Sequence, residues 1–400
     1  MAYRSRALVV VALTIFVDAF IYGIIVPVLP LYTKTLGLSS FQLGLIFAAY
    51  SAALLLLSVP FGIISDRFGR KNIMIFGMAA LAVTTVAFAL ARTFPALLLI
   101  RLLQGVSASV TWVVGPALLA DLYCPAERGG KMGLAMMGNN FGFLFGPVAG
   151  GFLYDWGGYQ APFAVSAFLT ILVLTAVVLF IKEPARRQLS QQQISLKELL
   201  QNRILLVGCG MMLLASVGFG FIDPLLPGYF ADKFAASPTT IGWLFGAISF
   251  TSLLAQPIFG RLSDRLGRVP VIALGILTTA VVLPLLTLAP SVKGSMLVMA
   301  MLGVTYGLMM APISPLLADA ITQENNQTSF GAVFGLNNTA FSLGYTAGPL
   351  LGGAFVDRWL LKYLFLTYGV VLVCYLPIMI GGARGLAHPG DIKIEAKRSS

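Results

Sequence analysis

The chain has 400 residues, of which 58% are hydrophobic and only 10% charged, with a formal net charge of +11. A water-soluble domain would carry about 25% charged residues, so the composition excludes one. The single histidine, His388, lies in the polar tail, which excludes histidine acid/base chemistry in the apolar runs and His-rich metal sites. Cys124, Cys209 and Cys374 show neither paired nor metal-ligand spacing.

Apolar runs of about 20 residues or more, the length that crosses a bilayer, fall at 7–32, 41–64, 73–91, 95–121, 131–153, 160–182, 204–230, 239–262, 270–289, 293–319, 329–354 and 361–383. They predict an all-α membrane protein with twelve transmembrane helices. The short head 1–6 runs into a span too long for a signal-peptide core and is expected to stay as part of the first helix. Apart from Arg101, nineteen Lys and Arg residues fall on the side of the termini and six on the other. By the positive-inside rule both termini are expected in the cytoplasm. The net charge is then a signal of topology in a lipid bilayer, and no nucleic-acid partner is expected.

Within the first span, TIFVDAFIYGIIVPVLPLY at 14–32 carries one carboxylate, Asp18, near its middle. A charge in a span faces a bundle interior or a watery pathway, so Asp18 is either a functional residue or a structural hydrogen-bonder. Pro27 and Pro30 remove backbone donors and are expected to bend the same helix. After the second span, FGIISDRFGR at 61–70 offers Gly62 for close helix approach and a charge cluster from Asp66, Arg67 and Arg70, with Gly69 between the arginines. Arg101 sits inside the fourth span, in RLLQG. In the fifth, GFLFGPVAGG at 142–151 aligns Gly142, Gly146, Gly150 and Gly151 on a smooth packing face, with a bend at Pro147.

A polar link at 183–203 follows, in which ISLKELLQNR reads as an amphipathic interfacial helix. Asp223 then lies about six residues before the outer end of the seventh span. That matches the depth of Arg101 and suggests that the two form an outer gate pair. FGRLSDRLGR at 259–268 repeats the first charged loop, with Gly260, Asp264 and Arg265 in place of Gly62, Asp66 and Arg67. Phe341 and Tyr345, four apart on one helix face, are either packing residues or part of a ligand cavity.

Four segments recur in the same order about 200 residues later. PVLP at 27–30 returns as PLLP at 224–227, the charged loop returns as above, PALLAD at 116–121 as PLLAD at 315–319, and GFLFGPVAGG as GYTAGPLLGG at 344–353. The expected organisation is two pseudo-symmetric six-helix halves, 1–182 and 204–383, joined by the linker 183–203 and followed by a polar cytoplasmic tail, 384–400. Parallel duplication of this kind belongs to transporters that rock two halves about a central site.

With these paired loops the chain resembles the major facilitator superfamily over essentially its whole length. The glycine-proline element of span 5 resembles the antiporter signature of drug and amine exporters, and RLLQG resembles the basic motif of proton-coupled exporters. VDAFIYGIIVPVLP, LADLYCPAERGGKMG, IDPLLP and AFSLGYTAGP look like the vesicular monoamine transporters and their bacterial relatives. That resemblance implies amine pairing at Asp18, an acidic partner at Asp223, a gating or tuning role for Arg101, and aromatic enclosure by Phe250, Phe341 and Tyr345. Tyr22, Tyr50, Asn139 and Asn338 complete the expected cavity. The chain departs from the animal carriers where Tyr50 replaces a lysine, Met310 an acid and Asn338 another acid. Its short loop 33–40 points to a bacterial protein.

The expected function is export of organic cations, monoamines or amphipathic drugs, in exchange for protons by alternating access. The expected setting is the inner (plasma) membrane and the expected state a monomer. Protons serve as the coupling ion, and neither a cofactor nor a metal is expected. A symporter or uniporter of a neutral solute such as a sugar would share the scaffold, but not the lone carboxylate in span 1. A membrane enzyme would need a convergent nucleophile and base, and the spans offer neither a histidine nor a GxSxG segment.

Overall fold

The computed structural model describes residues 2–183, 202–323 and 330–382. Most of the linker, including its amphipathic segment, and the tail with His388 lie outside the described residues. Thirteen helices account for nearly all of the described chain: α1 (Ala2–Thr35), α2 (Ser40–Phe68), α3 (Arg70–Leu90), α4 (Phe94–Leu122), α5 (Pro125–Gly157), α6 (Gln160–Phe180), α7 (Arg203–Phe234), α8 (Pro238–Leu266), α9 (Arg268–Leu288), α10 (Val292–Met310), α11 (Ile313–Gln323), α12 (Phe330–Val356) and α13 (Leu361–Gly382). Each apolar run falls in its own helix except the tenth. That run is divided into α10 and α11 by a turn at residues 311–312, where Pro312 cannot supply the next helical N–H. As one crossing it runs Val292–Asp319.

Among the described residues ten crossings are, by length and composition, apolar enough to span a membrane. α5 and α12 fall outside that count because they hold the two GPxxGG segments, whose glycines, with nearby asparagines, dilute the apolar content. α1 continues unbroken through Pro27 and Pro30.

The described chain groups into two compact units. The first combines α1–α6 with Gly220–Gly246 and Thr346–Asp357. The second holds the remaining described parts of α7, α8 and α12 with α9, α10, α11 and α13. The grouping therefore cuts across the sequence repeat.

In the first unit α1 lies against α5 along a row of glycines. A Cβ on Gly138 would collide with the Ala12 carbonyl, one on Gly142 would lie 2.6 Å from the Ala19 Cβ, and one on Gly146 or Gly150 would meet the backbone of Phe20 or Ile24. Spaced by four, these glycines form one stripe and let two backbones approach. Gly151 is not part of it. Its absent side chain makes room for Pro238 at the start of α8, so the expected four-glycine face divides between two neighbours.

The ends of α1, α5 and α7 that lie near Thr35, Gly157 and Phe234 form the distal end of this unit, where the sequence repeat becomes visible in space. The Pro147 carbonyl of α5 lies against Gly242 of α8, and the Pro349 carbonyl of α12 lies against Gly44 of α2. Asp155, at the end of α5, accepts the Thr239 N–H of α8 at 3.0 Å. Asp357, just past α12, accepts the Ser40 and Phe41 N–H groups of α2 at 2.9 and 3.0 Å. Ser39 and Ser237 accept the Gln42 and Thr240 N–H groups of the same two first turns. Each helix start is thus satisfied partly by its own N-cap and partly by a carboxylate from far along the chain. Lys34 of α1 adds an ion pair with Asp232 of α7 at 2.6 Å.

In the second unit, α8 and α10 approach at Gly303, where Thr251 donates to the Ala300 carbonyl at 2.8 Å. Gly105 plays the same part between α4 and α2 in the first unit.

Candidate functional site

Asp18 stands at the middle of α1 and is 2% exposed. Its Oδ2 accepts two hydrogen bonds, from the Tyr50 hydroxyl of α2 at 2.8 Å and the Trp112 indole Nε1–H of α4 at 2.9 Å. Tyr22, one turn further along α1, donates to Oδ2 of Asp223 in α7 at 3.3 Å. Its ring tilts against Tyr50 at 5.4 Å and Phe143 of α5 at 5.6 Å, and meets Phe47 edge-on at 6.3 Å. Five helices of the first unit therefore converge on two carboxylates.

Arg101 is fully buried within this cluster. Its guanidinium lies over the rings of Tyr50, Tyr22 and Phe47, at 4.7, 5.3 and 5.6 Å from their centroids. Nη1 donates to Gln104 Oε1 at 3.2 Å, while Nε and Nη2 have no hydrogen-bond partner among the described residues. The aromatic faces give the cation a favourable electrostatic environment in place of water. Among the described residues no carboxylate forms an ion pair with it, so the expected gate pair with Asp223 is not formed in this structure: Tyr22, whose ring lies under the guanidinium and whose hydroxyl donates to Asp223, links them.

The structure thus brings together Asp18, Tyr22, Tyr50, Arg101 and Asp223. Asn139 of α5 is half-buried, and its Oδ1 has no hydrogen-bond partner among the described residues. Phe250, Asn338, Phe341 and Tyr345 belong to the second unit. Phe341 and Tyr345 pair at 4.7 Å between ring centroids, Asn338 is exposed, and Phe250 is 51% exposed.

Trp112 is the site residue that sequence reasoning missed. Its signal was a spacing: it follows Arg101 by eleven residues, three helical turns, and so shares the same face of α4. Among the described residues no group of three Cys, His, Asp or Glu side chains gathers to hold a metal.

The charged loops form two matched clusters. Arg70 pairs with Asp66 at 2.5 Å and with Asp121 of α4 at 3.0 Å, and donates to Ser65. Arg268 pairs with Asp264 and, at 3.2 Å, with Asp319, and donates to Ser263. The PALLAD and PLLAD echoes therefore exist to place Asp121 and Asp319 against these arginines, a role the sequence reading did not assign. Arg67 and Arg265 are exposed.

The expected close approaches at Gly62 and Gly260 are not found. A Cβ on Gly62 would make an ordinary 3.5 Å contact with Val113, and one on Gly260 would meet nothing within 4 Å. The glycines that matter are Gly69 and Gly267, at φ 93° and 94° between two helices, a backbone conformation closed to residues with a Cβ. Glu183 completes the first loop by accepting the Arg70 and Lys71 N–H groups at the start of α3, at 2.7 and 2.9 Å.

Residues 11–221 and 208–396 match the Major Facilitator Superfamily. The synaptic vesicular amine transporter of Bos taurus is 30% identical over 351 residues, which cover 87% of this chain and 68% of that protein. The quinolone resistance protein NorA of Staphylococcus aureus is 27% identical over 380 residues, covering 94% of this chain and 96% of NorA. Among solved structures, a bacterial homolog of the human lysosomal transporter Spinster, inward-facing and unoccupied, has a TM-score of 0.80 with 16% identity, covering 96% of this chain and 98% of that one. At that identity the likeness is one of fold.

Proposed function

This chain belongs to the Major Facilitator Superfamily of multi-pass membrane transporters, and on that premise we propose that it exports organic cations in exchange for protons. The observation that carries the proposal is the state of Asp18. It is buried at the centre of a span, yet its hydrogen bonds come from two neutral donors, and among the described residues no Lys or Arg nitrogen lies within ion-pair distance of it. A buried carboxylate with no cation in direct contact is a strong attractor for one, and the rings of Tyr50 and Trp112 beside it suit an aromatic or amphipathic cation. The amine transporter and quinolone resistance relatives support the same substrate class.

Exchange follows from competition for one carboxylate. Ionised Asp18 binds the cation from the cytoplasm; protonation from outside releases it. Obligatory coupling then lies in which loaded forms may reorient. The neutral-solute alternative gives Asp18 no role. We further infer a bacterial inner-membrane protein with both termini cytoplasmic, working as a monomer.

The test is uptake into proteoliposomes, with a panel of monoamines, cationic dyes and sugars under an imposed pH gradient. Cations accumulating against their gradient only while the pH difference lasts is the expected result. Accumulation of a sugar, or cation uptake indifferent to the pH gradient, would overturn the reading.

A further inference from the structure

The carboxylate of Asp18 is held on one side only. Tyr50 and Trp112 both donate to Oδ2, from two different helices, and among the described residues no donor reaches Oδ1. A half-turn of the carboxylate only exchanges its two equivalent oxygens, so at any moment one is engaged by both donors and the other is open. The chemistry of the donors sharpens this. A tyrosine hydroxyl also accepts, but an indole N–H is a donor only. While Trp112 donates to Oδ2, that oxygen cannot turn a proton of its own toward the indole.

We propose that Trp112 is the positioning residue of the cation site: with Tyr50 it reserves Oδ2 and leaves Oδ1 as the one oxygen that receives either the proton or the organic cation. This rests on the reading of Asp18 as the coupling carboxylate and gives its competition an atomic basis. A neutral acid carrying its hydrogen on Oδ1 still accepts both bonds at Oδ2, so protonation occupies the cation's position without disturbing the frame. Arg101 steadies the frame from the other side by stacking on the Tyr50 ring at 4.7 Å. The charged and titratable groups that face this cluster are Tyr22 on α1, Tyr50 on α2, Arg101 on α4 and Asp223 on α7. α6 has no charged residue, and α5 has none between Lys131 and Asp155.

Two measurements test it. The first is binding of tritiated tetraphenylphosphonium, a cation whose own charge does not vary with pH, to purified protein across a pH series. Trp112→Phe keeps an aromatic ring but removes the N–H. The pH at which half the binding is lost should rise by about one unit, the size of one charge-assisted hydrogen bond favouring an ionised carboxylate. Trp112→Gln returns a donor and should recover part of that shift. A Trp112→Phe protein with the wild-type midpoint overturns the proposal.

The second measurement needs no ligand. Trp156, Trp243 and Trp359 are 77%, 55% and 61% exposed, so changing all three to Phe leaves Trp112 as the sole tryptophan, excited selectively over the tyrosines at the red edge of the absorption band. Its emission should titrate with pH when Asp18 is present and stay flat in Asp18→Asn. Emission that titrates equally in both, or in neither, overturns the contact. If wild-type protein fails to bind the cation at every pH while the fluorescence titrates, the cation reading falls and the Trp112 contact stands.

Discussion

Asp18 is a buried carboxylate held by two neutral donors, and the consequences are testable one side chain at a time. Asp18→Asn keeps the shape and both hydrogen bonds at the oxygen but neither pairs with a cation nor exchanges a proton. Affinity for a cationic substrate should fall by about 1.5–3 kcal/mol, ten- to a hundredfold, and pH-driven uptake should vanish in monodisperse protein. Because a bound cation keeps the carboxylate ionised, wild-type binding should weaken as pH falls, and radiolabelled amine binding at two pH values checks the sign. Tyr22 lies between Arg101 and Asp223, so the charge swap Arg101→Asp with Asp223→Arg should transport no better than either single change; recovery of uptake would reveal a direct pair in another state. Asp18, Asp223 and Arg101 were legible in the sequence because each is a lone charge in an apolar run. Trp112 was not, since an indole in a span looks like packing until the fold sets it beside a carboxylate 94 residues away.

Between helices, the controlling fact is how closely backbones meet. A side chain at Gly142 would meet the Ala19 Cβ and the Phe16 carbonyl at 2.6 and 2.8 Å, where rigid backbone gives little. Gly142→Val should therefore cost about 1–3 kcal/mol or more, read as a lower melting temperature in detergent. The distal carboxylates are gentler. Asp155→Ala or Asp357→Ala each removes a cap worth about 0.5–2 kcal/mol, and a cysteine placed near Thr239 or Phe41 should then label faster with a thiol reagent. The Ser39 to Gln42 capping box is a local pattern that sequence displays directly. Its reinforcement by Asp357 comes from 317 residues away, a distance at which no local rule operates. The glycine stripe was legible as small residues spaced by four, whereas the turning of Gly151 toward α8 depends on where α8 lies.

At the scale of the molecule, duplication is the organising fact, and the matched loops show it acting twice. Arg70 and Arg268 each gather two carboxylates and a serine; Asp66, Asp264 and Asp319 are about half exposed, where an ion pair contributes at most about 1 kcal/mol, whereas Asp121 is largely buried. Arg268→Ala should accordingly leave expression and melting temperature nearly unchanged while reducing uptake, and Arg70→Ala, which strips the largely buried Asp121 of its partner, should reduce uptake with a modest drop in melting temperature. A large loss of stability in either would assign that loop to the scaffold. The repeat told where these clusters fall but not which carboxylates complete them, because Asp121 and Asp319 are brought in by other helices. The crossed caps at the distal end carry a last implication. Asp155 and Asp357 are exposed, and the amides they hold can be taken over by water when the helices part. Separation is then an exchange of partners with little net change in free energy. In the proposed alternating-access cycle such a closure would set alignment without creating a deep well, and so would keep two conformations within the few kcal/mol that one bound ion can tip.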